Sequence, residues 1–266
     1  MRISVIVTTY NRPDALEAVL AGLADQREPP AEVIVADDGS GPETARRVAA
    51  AARRAAFALH HVWQPDEGFR AAAARNAAVR RSRGDYFVFL DGDCIPARRF
   101  VADHRRLAEA GCFFQGSRVL VSRRRTPGFD ARRTRRPLAL LADLAAGHLG
   151  NPQHLLRLPA WPAGRSRRLA GIRSCNFGVA RDDLYAVNGF DEAYVGWGRE
   201  DSDLAVRLMR YGLRCKRHPF MAVCFHLWHP ENDRGRLAAN DERLRRRMAA
   251  GGRVCAEGLV QDGEQP

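Results

Sequence analysis

Four short apolar runs alternate with three helical segments between Ile3 and Leu90, and this alternation constrains the fold more than any other feature of the chain. Ile3 to Val7 is β-branched, as in a strand buried on both faces. Asn11-Arg12-Pro13 then opens a helix, with proline where its missing N–H costs little. Leu16, Val19, Leu20 and Leu23 fall on one face of that helix. Glu32 to Ala36 reads as a second strand, and the helix begun by Pro42 runs to about Ala56. Ala58 to Trp63 is a third strand, and Arg70 to Arg81 is an alanine-rich helix. Tyr86 to Leu90 is uniformly apolar, which puts a fourth strand at the centre of a sheet. This order predicts an α/β chain with a doubly wound, mostly parallel, Rossmann-like sheet. Such sheets bind ligands at the carboxyl ends of their strands. Thr8-Thr9-Tyr10-Asn11, Asp37-Asp38 and Asp91-Gly92-Asp93 stand at those ends.

Beyond residue 112 the rhythm changes. Cys112 to Val121 reads as one strand, followed by a basic stretch over residues 123–136. A helix near Leu138 to Ala146 precedes irregular chain to about Arg173. Then come a strand near Asn176 to Ala180, a helix from Glu200 to Tyr211 closed by Gly212, a strand near Met221 to Phe225 and a charged helix from Arg234 to Ala250. We therefore expect three parts, over residues 1–111, 112–232 and 233–266, the last a helical tail.

With 266 residues and 45% hydrophobic composition the chain can bury a large core. No apolar run approaches the ~20 residues of a membrane helix, and Met1 to Val7 does not read as a signal peptide. The six cysteines form no Cys-x-x-Cys pair, which argues against a zinc site or disulfide framework. We expect reduced thiols and a cytoplasmic location. The net charge of +12 comes almost wholly from arginine, Lys216 being the only lysine. Such a field draws phosphates, anionic lipid or nucleic acid. Nucleic acid is the weakest of these, because residues 123–136 interleave only Phe129 among their arginines. That stretch is long for a connection. It is expected to be mobile and to lie near the site or on an anionic membrane surface, with a simple solvated loop as the plain alternative.

Asp91 and Asp93 flank a glycine at the exit of the fourth strand, and alternation along a strand points both to one side. Paired carboxylates there suit a hard divalent cation, which would stabilise a diphosphate leaving group; an ordinary Asp-Gly turn is the plain alternative. Asp38 can accept donors from a base or ribose, or simply serve the turn before Pro42. Tyr10 can stack on a base, Thr8 can hydrogen-bond the nucleotide, and Arg75 can direct a cation at it.

Taken together, Thr8-Thr9-Tyr10-Asn11-Arg12-Pro13, Val35-Ala36-Asp37-Asp38-Gly39-Ser40, Ala72-Ala73-Ala74-Arg75-Asn76-Ala77-Ala78 and Asp85-Tyr86-Phe87-Val88-Phe89-Leu90-Asp91-Gly92-Asp93 resemble the family 2 glycosyltransferases of GT-A fold. Gly196-Trp197-Gly198-Arg199-Glu200-Asp201 is similar to the galactosyltransferase-type C-terminal region. The resemblance spans about residues 2–229. It implies transfer of a sugar, with inversion, from a nucleotide-diphosphate donor (UDP-linked by expectation) to a hydroxyl of a glycan or other acceptor. It implies that Thr8, Tyr10, Arg12 and Arg75 line the nucleotide pocket, that Asp38 takes the base, and that Asp91 takes the ribose side. Asp93 would bind Mn²⁺ or Mg²⁺, and a late histidine would complete the shell. His226 is favoured over His229, and mixed imidazole and carboxylate ligation favours Mn²⁺. Trp197 would be a sugar platform, Glu200 would hold the acceptor and Asp201 would be the catalytic base. Residues 123–173 match no specific motif, so acceptor choice is expected there. A nucleotidyltransferase is the principal rival, but it lacks the Trp197–Asp201 segment and usually has a glycine-rich phosphate loop after the first strand.

Overall fold

β1 (Ile3–Thr9), α1 (Pro13–Ala24), β2 (Glu32–Asp37), α2 (Pro42–Ala52), β3 (Ala58–Trp63), α3 (Ala71–Arg81) and β4 (Tyr86–Asp91) follow the expected alternation in the computed structural model, which describes residues 1–260. β5 (Cys94–Pro96), α4 (Phe100–Leu107), β6 (Cys112–Gln115), β7 (Ser117–Val121), α5 (Pro137–Ala145), β8 (Leu149–Gly150), β9 (Gly164–Ser166) and β10 (Asn176–Ala180) come next. α6 (Arg181–Ala186), α7 (Glu200–Tyr211), β11 (Arg214–Arg217), β12 (Val223–His226) and α8 (Leu237–Ala250) complete the order. The last part of the expected tail, residues 261–266, lies outside the described residues.

The main sheet has the order β3-β2-β1-β4-β10-β6-β11-β9. β3, β2, β1 and β4 run parallel, and β10 enters antiparallel between β4 and β6. Side-chain alternation sorts the core into two layers. Val5, Val7, Val33, Val35, Val88 and Leu90 face α1. Ile6, Ile34, Phe87, Phe89 and Phe177 face α3, α6 and α7. A smaller sheet, β5-β12-β7-β8, carries His226 at the end of β12.

Cys112 to Val121 is two strands, not the single strand expected. β6 belongs to the main sheet and β7 to the smaller one, and the chain changes sheets at Gly116. The buried Asn176 carboxamide occupies the space a Cβ at Gly116 would need. Asn176 Nδ2 donates to the carbonyls of Ser117 (3.0 Å) and Ala222 (2.7 Å), and its Oδ1 lies 3.0 Å from His104 Nε2. The residue thereby ties β7, β12 and α4 at the crossing.

The arginine-rich stretch is built into the fold. Arg125 and Arg133 both donate to the buried carboxylate of Asp143 on α5, and Phe129 packs on Phe225. α8 is tied to α7 by Arg247, which donates to Asp191 (3.1 Å) and Asp203 (3.0 Å). Among the described residues, no helix is long and apolar enough to cross a membrane.

Candidate active site

Three strand ends meet at one edge of the main sheet. Thr8 stands opposite Asp91, and Thr9 opposite Asp37. They open into a cleft of about 770 Å³, lined also by the Leu169–Cys175 loop, Trp197 to Ser202, and Leu237 and Leu244 of α8. That volume suits a small-molecule ligand.

At the β2 end, Asp38 is buried. Its Oδ1 accepts from Gln64 Nε2 at 2.6 Å and its Oδ2 from the Arg70 backbone N–H at 2.7 Å. Burial raises its pKa despite these bonds. Each oxygen keeps a further lone pair for a ligand donor. Tyr10 is exposed at the rim, and its hydroxyl donates to Asp66 at 2.8 Å. Gly39 has φ +96°, and a Cβ there would lie 2.5 Å from Asp66 Cα. Only glycine lets the Asp66 segment close over this strand end.

Arg75 forms the floor. It is 4% exposed, and its Nε donates to Thr8 Oγ1 at 3.0 Å, its Nη1 to Glu200 Oε1 at 3.1 Å and its Nη2 to Asp91 Oδ1 at 3.4 Å. Burial opposes its charge, but Glu200 and Asp91 more than compensate and raise its pKa. Asp91 is itself shifted upward, chiefly by burial. Arg75 thus joins the donor-side strand end to the N-terminus of α7.

β4 stops at Asp91 and β5 starts at Cys94. Asp91 and Asp93 therefore reach the cleft through a turn at Gly92, not from one face of a continuous strand. A Cβ on Gly92 would lie 2.9 Å from the Thr8 carbonyl oxygen. Asp93 Oδ2 accepts from Arg12 Nη1 at 2.7 Å. His226 Nε2 lies 3.7 Å from Asp93 Oδ1, and His229 Nε2 lies 3.5 Å from Oδ2. Ligand atoms of Asp93, His226 and His229 all fall within 4.8 Å of one another. Burial, then Arg118, pushes the His226 pKa down to about 4. Its imidazole is therefore neutral, with a free lone pair. Two imidazoles and a carboxylate on one point fit a first-row divalent cation better than Mg²⁺ alone. Sequence reasoning left the choice of histidine open; both arrive at Asp93.

On the opposite wall, α7 begins after Gly196 (φ +82°), Gly198 (φ +100°) and Arg199 (φ +82°). For Arg199 this is a strained conformation. The turn presents Glu200 and Asp201 to the cleft. Glu200 Oε2 is buried and has no hydrogen-bond partner among the described residues. Asp201 Oδ1 accepts from Ser202 Oγ at 3.2 Å. Burial, reinforced by Glu200 and opposed by Arg75, pushes the Asp201 pKa up to about 7. Asp203 faces away: fully buried, it pairs with Arg207 at 2.7 Å and Arg247 at 3.0 Å. Its role is structural. Trp197 is half-buried, with the Arg234 guanidinium 5.1 Å from its ring centroid.

Sequence reasoning missed Arg118 and the cleft wall made by α8, and it named no residue of the Leu169–Cys175 loop, most of which lies in the 123–173 stretch where it expected acceptor choice. Arg118 is half-buried, forms no ion pair among the described residues, and donates only to Cys175 Sγ at 3.8 Å. A lone arginine in a strand carries no motif, so only the fold reveals it.

A mostly parallel sheet with carboxylates at its strand ends, facing a second pair at a helix N-terminus, is the arrangement of a GT-A glycosyltransferase. The chain belongs to glycosyl transferase family 2, which it matches over residues 4–159; residues 160–230 match the family described as the N-terminal domain of galactosyltransferase. The two matches run without a break through residues 123–173, where no motif was visible. Validoxylamine A glucosyltransferase of Streptomyces hygroscopicus subsp. limoneus is 29% identical over 238 residues, covering 79% of this chain. The chain spans 48% of that relative's length. Among solved structures, S. aureus TarS 1–349 superposes with a TM-score of 0.64 at 18% identity, covering 94% of this chain and 65% of that one. The mannosyltransferase PcManGT from Pyrobaculum calidifontis, in complex with GDP-Man and Mn²⁺, gives 0.58 at 24% identity, covering 100% and 66%.

Proposed function

We propose that this chain transfers a sugar from a nucleotide-diphosphate donor, UDP-linked by preference, to a hydroxyl of a glycan or similar acceptor, with inversion at the anomeric carbon. The observation that carries this reading is a single cleft with Asp38, Asp91 and Asp93 on one wall and Glu200 and Asp201 on the other. Tyr10 and Asp38 would bind the base, and Thr8 and Asp91 the nucleoside. Asp93, His226 and His229 would hold Mn²⁺, which when bound supplies positive charge against the diphosphate. Arg118, and Arg12 beside Asp93, would face the phosphates. Trp197 would stack on a sugar face, and Glu200 Oε2, which has no partner among the described residues, would accept a hydrogen bond from a hydroxyl of the acceptor. The Asp201 carboxylate would take the acceptor hydroxyl proton as that oxygen attacks the anomeric carbon. The bond to the donor phosphate breaks, and the nucleoside diphosphate leaves with the electron pair. One base and one displacement invert the centre. Six free, buried cysteines suit a reducing compartment, in keeping with the cytoplasm.

The test is a screen of UDP- and GDP-sugars with Mn²⁺, reading released nucleotide. Asp93→Ala and His229→Ala should each remove the Mn²⁺-dependent part of nucleotide binding, measured by calorimetry, while the melting curve keeps its cooperativity. Wild-type nucleotide affinity that is the same with and without Mn²⁺ would overturn the metal assignment.

A further inference from the structure

α5 is built the wrong way round for a surface helix. Its charged residue points inward, and although Leu140 packs on the core, Leu138 and Leu141 point outward. Asp143 is the only buried residue of the helix, held there by Arg125 and Arg133. Leu138 is 80% exposed and Leu141 58%, and Ala142 and Ala145 are exposed beside them. A surface helix ordinarily turns its apolar stripe to the core. Contiguous apolar exposure of this kind marks a contact surface.

The charge around the helix says what that surface meets. Arg123, Arg124, Arg132 and Arg136 are exposed and form no ion pair among the described residues. They come from the stretch that leads into α5. The other arginines of this stretch are paired, Arg125 and Arg133 with Asp143 and Arg135 with Asp25. Unpaired arginines beside an outward apolar helix face are the chemistry of an interface-bound helix, with leucines in the acyl boundary and guanidinium groups among anionic headgroups. A protein partner would need acidic residues matched to each arginine, whereas an anionic bilayer needs no such register.

The same stretch also borders the metal-binding cluster. Trp228 donates its backbone N–H to Thr126 Oγ1 at 2.9 Å, and the Arg123 guanidinium lies 4.8 Å from the Trp228 ring centroid. Trp228 directly precedes His229.

We propose that α5, with Arg124, Arg132 and Arg136, docks this chain on an anionic membrane surface. The proposal does not depend on the identity of the sugar donor or acceptor.

Co-sedimentation with phosphatidylglycerol vesicles and with phosphatidylcholine vesicles tests it. Wild-type protein should partition onto phosphatidylglycerol at low salt and much less onto phosphatidylcholine. The triple variant Arg124→Ser, Arg132→Ser, Arg136→Ser should lose on the order of a hundredfold in phosphatidylglycerol partitioning. Leu138→Ser with Leu141→Ser should lose about tenfold or more, including the part that resists salt. Both variants should release nucleotide from soluble donor as the wild type does, which shows that they fold. Wild-type protein that ignores phosphatidylglycerol vesicles, or a leucine variant that binds them undiminished, overturns the proposal. So does a wild-type dimer in light scattering that the leucine variant dissolves, since a second copy would then be what covers α5.

Discussion

Glu200 and Asp201 are adjacent, but the fold gives them different work. Glu200 is bonded to Arg75 through one oxygen and leaves the other free. Asp201 has only the Ser202 hydroxyl and a pKa pushed up to about 7 by burial and by Glu200. A general base is most effective when its pKa lies near the working pH. Asp201→Asn should therefore lower transfer by about 10²–10⁴-fold, while titration calorimetry finds donor binding unchanged. The wild-type rate should rise with pH through an apparent pKa near 7, because only the ionised carboxylate accepts a proton. That value belongs to the Glu200–Asp201 pair. Glu200→Gln removes the neighbouring negative charge, so its acid limb should move to lower pH and its acceptor KM should rise. An acid limb that stays in place in Glu200→Gln would show that burial alone sets the shift. Asp203, two residues on, is no substitute base, since both its oxygens face arginines inside the protein.

At the scale of elements, periodicity made the local fold legible. β3 over Ala58–Trp63, β10 over Asn176–Ala180 and α7 over Glu200–Tyr211 have the ends the sequence predicts, because apolar spacing and Gly212 mark them. Donor-side residues were readable for the same reason: they sit at strand ends, where the sheet places any ligand. What was not readable depends on contacts between distant segments. Cys112 to Val121 has unbroken strand character, and only the Asn176 carboxamide, 60 residues away in sequence from Gly116, splits it between two sheets. His229 lies past the end of its strand, so no period assigned it a direction. α4 and β11 were missed because polar residues interrupt their buried positions, Asp103 and His104 in α4 and Lys216 in β11. The crossing at Gly116 can be tested directly. Gly116→Ala forces a Cβ into Asn176 and should cost about 1–3 kcal/mol, as overpacking does. Gly164→Ala meets nothing within 4 Å and serves as the neutral control. A thermal melt compares the two; equal midpoints would show that Asn176 can move aside.

At the scale of the whole molecule, the cleft works against the stability of the fold that holds it. Asp38, Asp91 and Asp201 all have pKa values raised by burial. Each is therefore ionised less willingly in the folded chain than in the unfolded one. For Asp201 the shift runs from 3.8 to about 7. A raised folded pKa means that the native state binds the proton more tightly. Stability from this group is thus greatest below its unfolded value and falls as pH rises through its folded value. At pH 8 the ionised Asp201 costs the fold roughly 2–4 kcal/mol. Asparagine has nearly the same shape and carries no charge. Asp201→Asn should therefore be more stable than the wild type, by an amount that is largest at or above pH 7 and shrinks toward pH 4. In a chain of this size the gain should appear as several degrees in Tm at pH 8, at about 2–4 °C per kcal/mol. Melts at pH 5 and pH 8 decide the matter. A variant that loses transfer and gains stability only at the higher pH is one in which the carboxylate was held in place for chemistry. An Asp201→Asn melting temperature at or below that of the wild type at pH 8 would mean that the folded protein already compensates this charge, and that its acid limb comes from another group.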